Sequence, residues 1–115
     1  MKDDMLYLGD MLDLAMWIAR RIRVTTREQF NHDEVLRIAL AHQIQIIGEA
    51  ASRVSKATRE AHSEIPWSEI VGMRHKIVHD YFNISDDAVW NVATTKMESL
   101  IAALESFVPP VEGGE

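Results

Sequence analysis

Residues 35–54 read VLRIALAHQIQIIGEAASRV. Val35, Ile38, Ala39, His42, Ile46, Ile47, Ala50 and Val54 recur at helical spacing, and no proline interrupts them. The run predicts a long helix reaching about Lys56. Asn31 is its expected cap, with Glu34 reaching back to complete a capping box. Gly48 inside a helix costs about 1 kcal/mol relative to alanine, so its presence predicts a close approach by another helix.

The same period extends to both sides. From about Lys2 to Arg23, Met5, Leu8, Leu12, Ala15 and Ile18 or Ala19 form a stripe, widened by Met11, Leu14 and Ile22. Aspartates stand at the start of that helix and arginines at its end, as the helix dipole favours. Thr26 and Gln29 fit a capping box for a short turn through Phe30. Thr58 to His62 predicts another turn. Pro66 suits the start of a third helix, which carries Ile70, Met73, Ile77 and Val78 and breaks at Asn83–Asp87. Ser85 is a good cap for a last helix over residues 86–107, seamed by Val89, Ala93, Met97, Leu100, Leu104 and Phe107. Pro109 and Pro110 end it.

No segment reads as a strand. The expected fold is all-α, a bundle of four main helices plus short helical turns. One domain is expected over residues 1–108, with a flexible tail over 109–115. Methionine and tryptophan at helical spacing are read as core. The stripes of the first, second and last helices are broader than one small bundle needs, which predicts a homodimer.

The chain has 115 residues, no cysteine and a net charge of −6. Lack of cysteine excludes disulfides and thiolate metal sites. The acidic start is unlike a signal peptide, and the longest apolar run, Leu14 to Ala19, is too short to span a membrane. A soluble, cytoplasmic protein without membrane contact is the expectation. The acidic balance argues against non-specific coating of nucleic acid, which rests on many cationic contacts to phosphate. A local basic cleft stays open. Arg20, Arg21, Arg23 and Arg27 form one cluster, read first as a helix end and second as an RNA patch.

The second cluster lies in Met73-Arg74-His75-Lys76-Ile77-Val78-His79-Asp80-Tyr81-Phe82, whose skeleton is Arg-x4-His-x-Tyr. A permanently charged arginine beside a histidine that titrates near neutrality suits attack on a phosphodiester. RNA carries its own nucleophile, the 2′-hydroxyl, so His79 could act as base or acid and Arg74 could hold the non-bridging oxygens. His75 and Lys76 could add field or contact the backbone. No metal or cofactor is required. On one ideal helix Arg74 and His79 would stand about 140° and 7.5 Å apart. Both therefore serve one phosphate only if the helix ends near His79 or a second subunit completes the site. Two other readings compete. His75 and His79 at four-residue spacing, with Asp80, could hold a metal. Arg74 could instead pair with an acidic residue and His79 satisfy a helix end. His32, His42 and His62 are read as structural or solvated.

Several stretches together carry a family resemblance. They are Ile46-Ile47-Gly48-Glu49-Ala50-Ala51, Ile65-Pro66-Trp67, Ile70-Val71-Gly72-Met73-Arg74, Val78-His79-Asp80-Tyr81-Phe82 and Val89-Trp90. In this order and spacing the chain resembles the HepT-like proteins of the HEPN superfamily over nearly its whole length. The resemblance implies a dimeric helical bundle and a metal-independent endoribonuclease, the toxin of a toxin–antitoxin pair, with Arg74 and His79 as active residues. Where the family usually has a polar residue, often asparagine, stands His75. Tyr81 matches the tyrosine that some members carry for adenylylation by a minimal nucleotidyltransferase antitoxin. A bulky nucleotide there would block and neutralise the cleft. Tyr81 also reads as a packing residue with a surface hydroxyl. A non-catalytic helical module that binds a nucleotidyltransferase or a nucleotide is the alternative function.

Overall fold

The structure is a computed structural model that describes residues 2–80 and 83–109. Helix α1 (Lys2–Arg23) carries Asp3 and Asp4 in its first turn and Arg20, Arg21 and Arg23 in its last. These charges meet the two ends of the dipole with the favourable sign. It buries Leu8, Met11, Leu12, Ala15, Ile18 and Ala19. Met5, expected in the same stripe, is 42% exposed.

Helix α2 (Arg27–Asn31) starts at the Thr26 capping box, in which both reciprocal bonds with Gln29 form. It buries Phe30, whose ring meets that of Trp90 at 5.0 Å. Helix α3 (Glu34–Arg53) takes Asp33 as its cap, through a bond from the Leu36 amide to Asp33 Oδ1. The expected cap, Asn31, is already committed to α2, where its Oδ1 accepts from Arg27 Nε at 2.9 Å.

The buried face of α3 also differs from the expected stripe. It presents Leu40, Ala41, Ile44, Ile47, Gly48, Ala50 and Ala51 inward. Val35 and Ile38 are 78% and 62% exposed, and His42 is exposed. The helix is apolar on several sides, so periodicity alone permits two orientations, and the packing of α1 and the later helices selects one.

Asp4 ties the start of α1 to the end of α3. Its carboxylate accepts from Ser55 N at 2.9 Å, Ser55 Oγ at 2.7 Å and Thr58 Oγ1 at 2.5 Å. Ser55 meanwhile caps α4 (Lys56–Ala61). The two long helices therefore run antiparallel.

The segment leading to the motif is not one helix. It forms α5 (Trp67–Val71) and α6 (Met73–Ile77), with Gly72 between them at φ −82°, ψ 0°. The chain then leaves helical conformation at Val78 and enters β1 (Val78–Asp80), which pairs antiparallel with β2 (Asn83–Ile84). The partners are Val78 with Ile84 and Asp80 with Asn83, with a register irregularity between them. The sequence suggested continued helix and no strand. β-branched Val78 and Ile84 favour the extended pairing, and the Ser85 amide closes it by donating to Ile77 O at 2.7 Å.

Ser85 caps α7 (Asp86–Thr95), as expected, and Asp86 and Asp87 fill its first turn. The expected single last helix is interrupted at Lys96, after which α8 (Met97–Glu105) continues. Thr94 and Thr95 hydroxyls bond back to the Trp90 and Asn91 carbonyls, a habit that bends helices. The fold is all-α apart from the one short pairing. Among the described residues no helix is long and apolar enough to cross a membrane. Residues 110–115, most of the expected tail, lie outside the described residues.

Candidate active site

The geometry around Arg74 begins at Gly48. A Cβ built there would stand 3.1 Å from Ile70 O and 3.4 Å from Val71 O. The end of α5 thus rests on the α3 backbone, the close approach that a glycine permits. At Gly72 the near neighbours are the carbonyls of its own preceding turn, a Cβ there meeting Ser68 O at 3.2 Å. One turn from Gly48 on α3 stands Gln45, and three residues past Val71 stands Arg74. The two meet, Arg74 Nε donating to Gln45 Oε1 at 3.3 Å, while Gln45 Nε2 donates to Ala41 O at 3.2 Å.

Arg74 is exposed. Among the described residues no carboxylate lies within ion-pair distance of it. The described atoms thus give no support to its being half of a structural ion pair.

His75 is exposed on the next position of α6. Lys76 is paired within the chain. Its Nζ lies 3.3 Å from Glu69 Oε2, and the same carboxylate takes Lys96 at 2.9 Å. Hydrogen bonds from Lys96, then Lys76, hold the Glu69 carboxyl below its ordinary range. This bridge joins α5 and α6 to the break between α7 and α8.

Helix α6 ends at Ile77, two residues before His79, whose backbone belongs to β1. The side chains of His79 and Asp80 and the whole of Tyr81 lie outside the described residues. The turn out of the helix is one of the two conditions under which Arg74 and His79 could address one phosphate. It also removes the premise of a His75–His79 metal pair, because the two residues do not share a helix face.

The arginine cluster is largely engaged. Arg27 pairs with Asp87, Arg23 lies 3.3 Å from Glu98, and Arg21 stacks 4.6 Å over the Trp17 ring. Arg37 joins Asp86 at 3.4 Å and so draws the start of α7 to α3. These contacts match a helix-end and ion-pair role better than an open cationic patch. Gln45 and Glu69 were not singled out in the sequence. The one signal for Gln45 is a polar residue set between Ile44 and Ile46, one turn before Gly48.

The molecule is thus a mainly helical protein whose Arg74, which meets no carboxylate among the described residues, stands where a helix gives way to a short strand pairing, within an Arg-x4-His motif. That combination is a helical scaffold carrying a candidate phosphate-binding motif. The family model described as "Ribonuclease HepT-like" matches residues 11–107, and the chain belongs to this family. It is 35% identical over 100 residues to "Putative RNase TTE0752" of Caldanaerobacter subterraneus subsp. tengcongensis, covering 87% of this chain and 89% of the relative. It is 30% identical over 101 residues to "Probable ribonuclease HepT" of Thermococcus cleftensis, covering 88% and 92%. No solved structure gives a significant match. Family membership supports ribonuclease activity at the level of the family.

Proposed function

We propose that the protein is a metal-independent endoribonuclease, working in the cytoplasm as the toxin half of a toxin–antitoxin pair. The observation that carries the reading is the Arg74 guanidinium, exposed and uncompensated by any described carboxylate, in the segment that leaves the helix just before His79. The 2′-oxygen of the RNA attacks phosphorus while its proton passes to a base, and the bond from phosphorus to O5′ breaks as that oxygen receives a proton. His79 serves as base or acid, and Arg74 stabilises the charge on the non-bridging oxygens. His75 supports the backbone contact.

A homodimer completes the cleft in this proposal. The exposed Val35, Ile38 and His42 share one face of α3, and Gln45, which holds Arg74, borders it. A second copy seated there would bring two motifs together. A nucleotidyltransferase antitoxin then silences the enzyme, by adenylylating Tyr81 or by covering the cleft. A second reading, a non-catalytic module that binds such a partner or a nucleotide, draws on the net charge of −6.

The chemistry of the cut ends tests the proposal. Cleavage should leave a 2′,3′-cyclic phosphate and a 5′-hydroxyl, and a single 2′-deoxy substitution at the cut site should abolish it. Cutting that survives the deoxy substitution would rule the mechanism out.

A further inference from the structure

The structure assigns Gln45 as a neutral positioning residue for Arg74, one that fixes the guanidinium without spending its charge; this rests on the ribonuclease reading given above. The geometry is a short relay. Ala41 O anchors the Gln45 amide nitrogen at 3.2 Å, and the Gln45 amide oxygen takes Arg74 Nε at 3.3 Å. Satisfying Nε from the protein side leaves the pair of terminal nitrogens for a ligand, and that pair can make parallel bonds to two oxygens of a phosphate.

The neutrality of the acceptor matters as much as its position. A carboxylate at residue 45 would hold the same nitrogen but would form an ion pair, and the pair would lose much of its attraction for a phosphodiester. An apolar side chain would leave the charge intact and the guanidinium free to rotate. Gln45 is half-buried on α3, and the Gly48 contact with Ile70 and Val71 fixes the distance between the two backbones. The acceptor is therefore on a rigid element while the arginine sits close to the break in the motif segment.

Two variants separate the two roles. Gln45→Met keeps length and helix propensity but removes both amide bonds; Gln45→Glu keeps the acceptor and adds charge. The first measurement is the Arg74 Nε–H resonance in heteronuclear NMR, assigned with Arg74→Lys, with circular dichroism confirming the fold. The resonance should lose its hydrogen-bonded shift and its slow exchange in Gln45→Met and keep both in Gln45→Glu. The second is binding of a fully 2′-O-methylated single-stranded RNA across salt concentrations. Gln45→Glu should bind more weakly, with a log–log salt slope shallower by about 0.7, the loss of one phosphate contact. Cleavage by Gln45→Met should fall by about ten- to a hundredfold.

An Arg74 resonance unchanged in Gln45→Met would overturn the assignment even if the parent cleaves RNA. An RNA affinity and slope unchanged in Gln45→Glu would overturn the charge argument. A parent protein that cuts no RNA would defeat the ribonuclease reading instead, and the Arg74 resonance would still decide whether Gln45 positions it.

Discussion

The carbonyl oxygen of Ile70 lies 3.1 Å from where a Cβ on Gly48 would stand, so α5 seats directly on the backbone of α3. Gln45, on α3, and Arg74, on α6, flank that contact. Gln45 and Arg74 meet one turn further along. Beyond them α6 ends and the hairpin returns the chain to Ser85, near the point where Arg37 and Asp86 join α3 to α7.

Substitution at Gly48 should therefore cost more than its local helix suggests. Alanine gains about 1 kcal/mol in helix propensity but must displace two backbone carbonyls. The expected net effect on stability is small. Valine adds bulk without that gain and should destabilise the fold by about 2 kcal/mol, within the range for overpacking. Urea unfolding of the two variants measures this, and a valine variant with an unchanged midpoint would show that α5 can move freely.

Asp4 is 3% exposed and accepts three hydrogen bonds. Bonds from Thr58 and Ser55 lower its pKa below the ordinary 3.8. Stability from this carboxylate is fully present above the unfolded value and is lost as pH falls through the lower folded value. Asp4→Ala should cost about 1–3 kcal/mol near neutrality, with the gap to the parent narrowing in acid. Thermal unfolding at pH 7 and at pH 3 checks the sign.

Lys76 was expected to contact RNA, yet its amine is bound to Glu69. If that bridge persists with RNA bound, Lys76→Ala should change cleavage by no more than about fivefold, the worth of a surface ion pair. Arg74→Ala should lower it by about a hundredfold or more. Steady-state rates on one defined RNA compare the two. Equal losses would place Lys76 in the cleft.

The dimer has its own test. Ile38 is 62% exposed, so Ile38→Asp should alter monomer stability by no more than about 0.5 kcal/mol. It should nevertheless shift sedimentation equilibrium from dimer to monomer and remove cleavage. A parent that is monomeric at high concentration would leave the composite cleft without support.

Much of this fold was legible because its causes are local. The Thr26 box, the Ser85 cap and the charge polarity of α1 depend on residues within one turn of each other. The buried face of α3 was not legible, since Val35, Ile38 and His42 keep the same period as residues that face inward. Nor was the break at Gly72, or the hairpin after Ile77, where tertiary contacts and β-branched pairing override the helical period of Met73 and Ile77. Arg74 could be chosen from its motif, but its partner Gln45 lies 29 residues away and becomes visible only through packing at Gly48. The family was legible from ordered short motifs.

In the proposed mechanism Arg74 and His79 cut RNA without a metal. Mixed cellular RNA is incubated in EDTA with partner-free protein, beside Arg74→Ala and His79→Ala preparations, with intact mass confirming an unmodified Tyr81. The parent should cleave and neither variant should. No cleavage by the parent, or cleavage that persists in both variants, would overturn the mechanism.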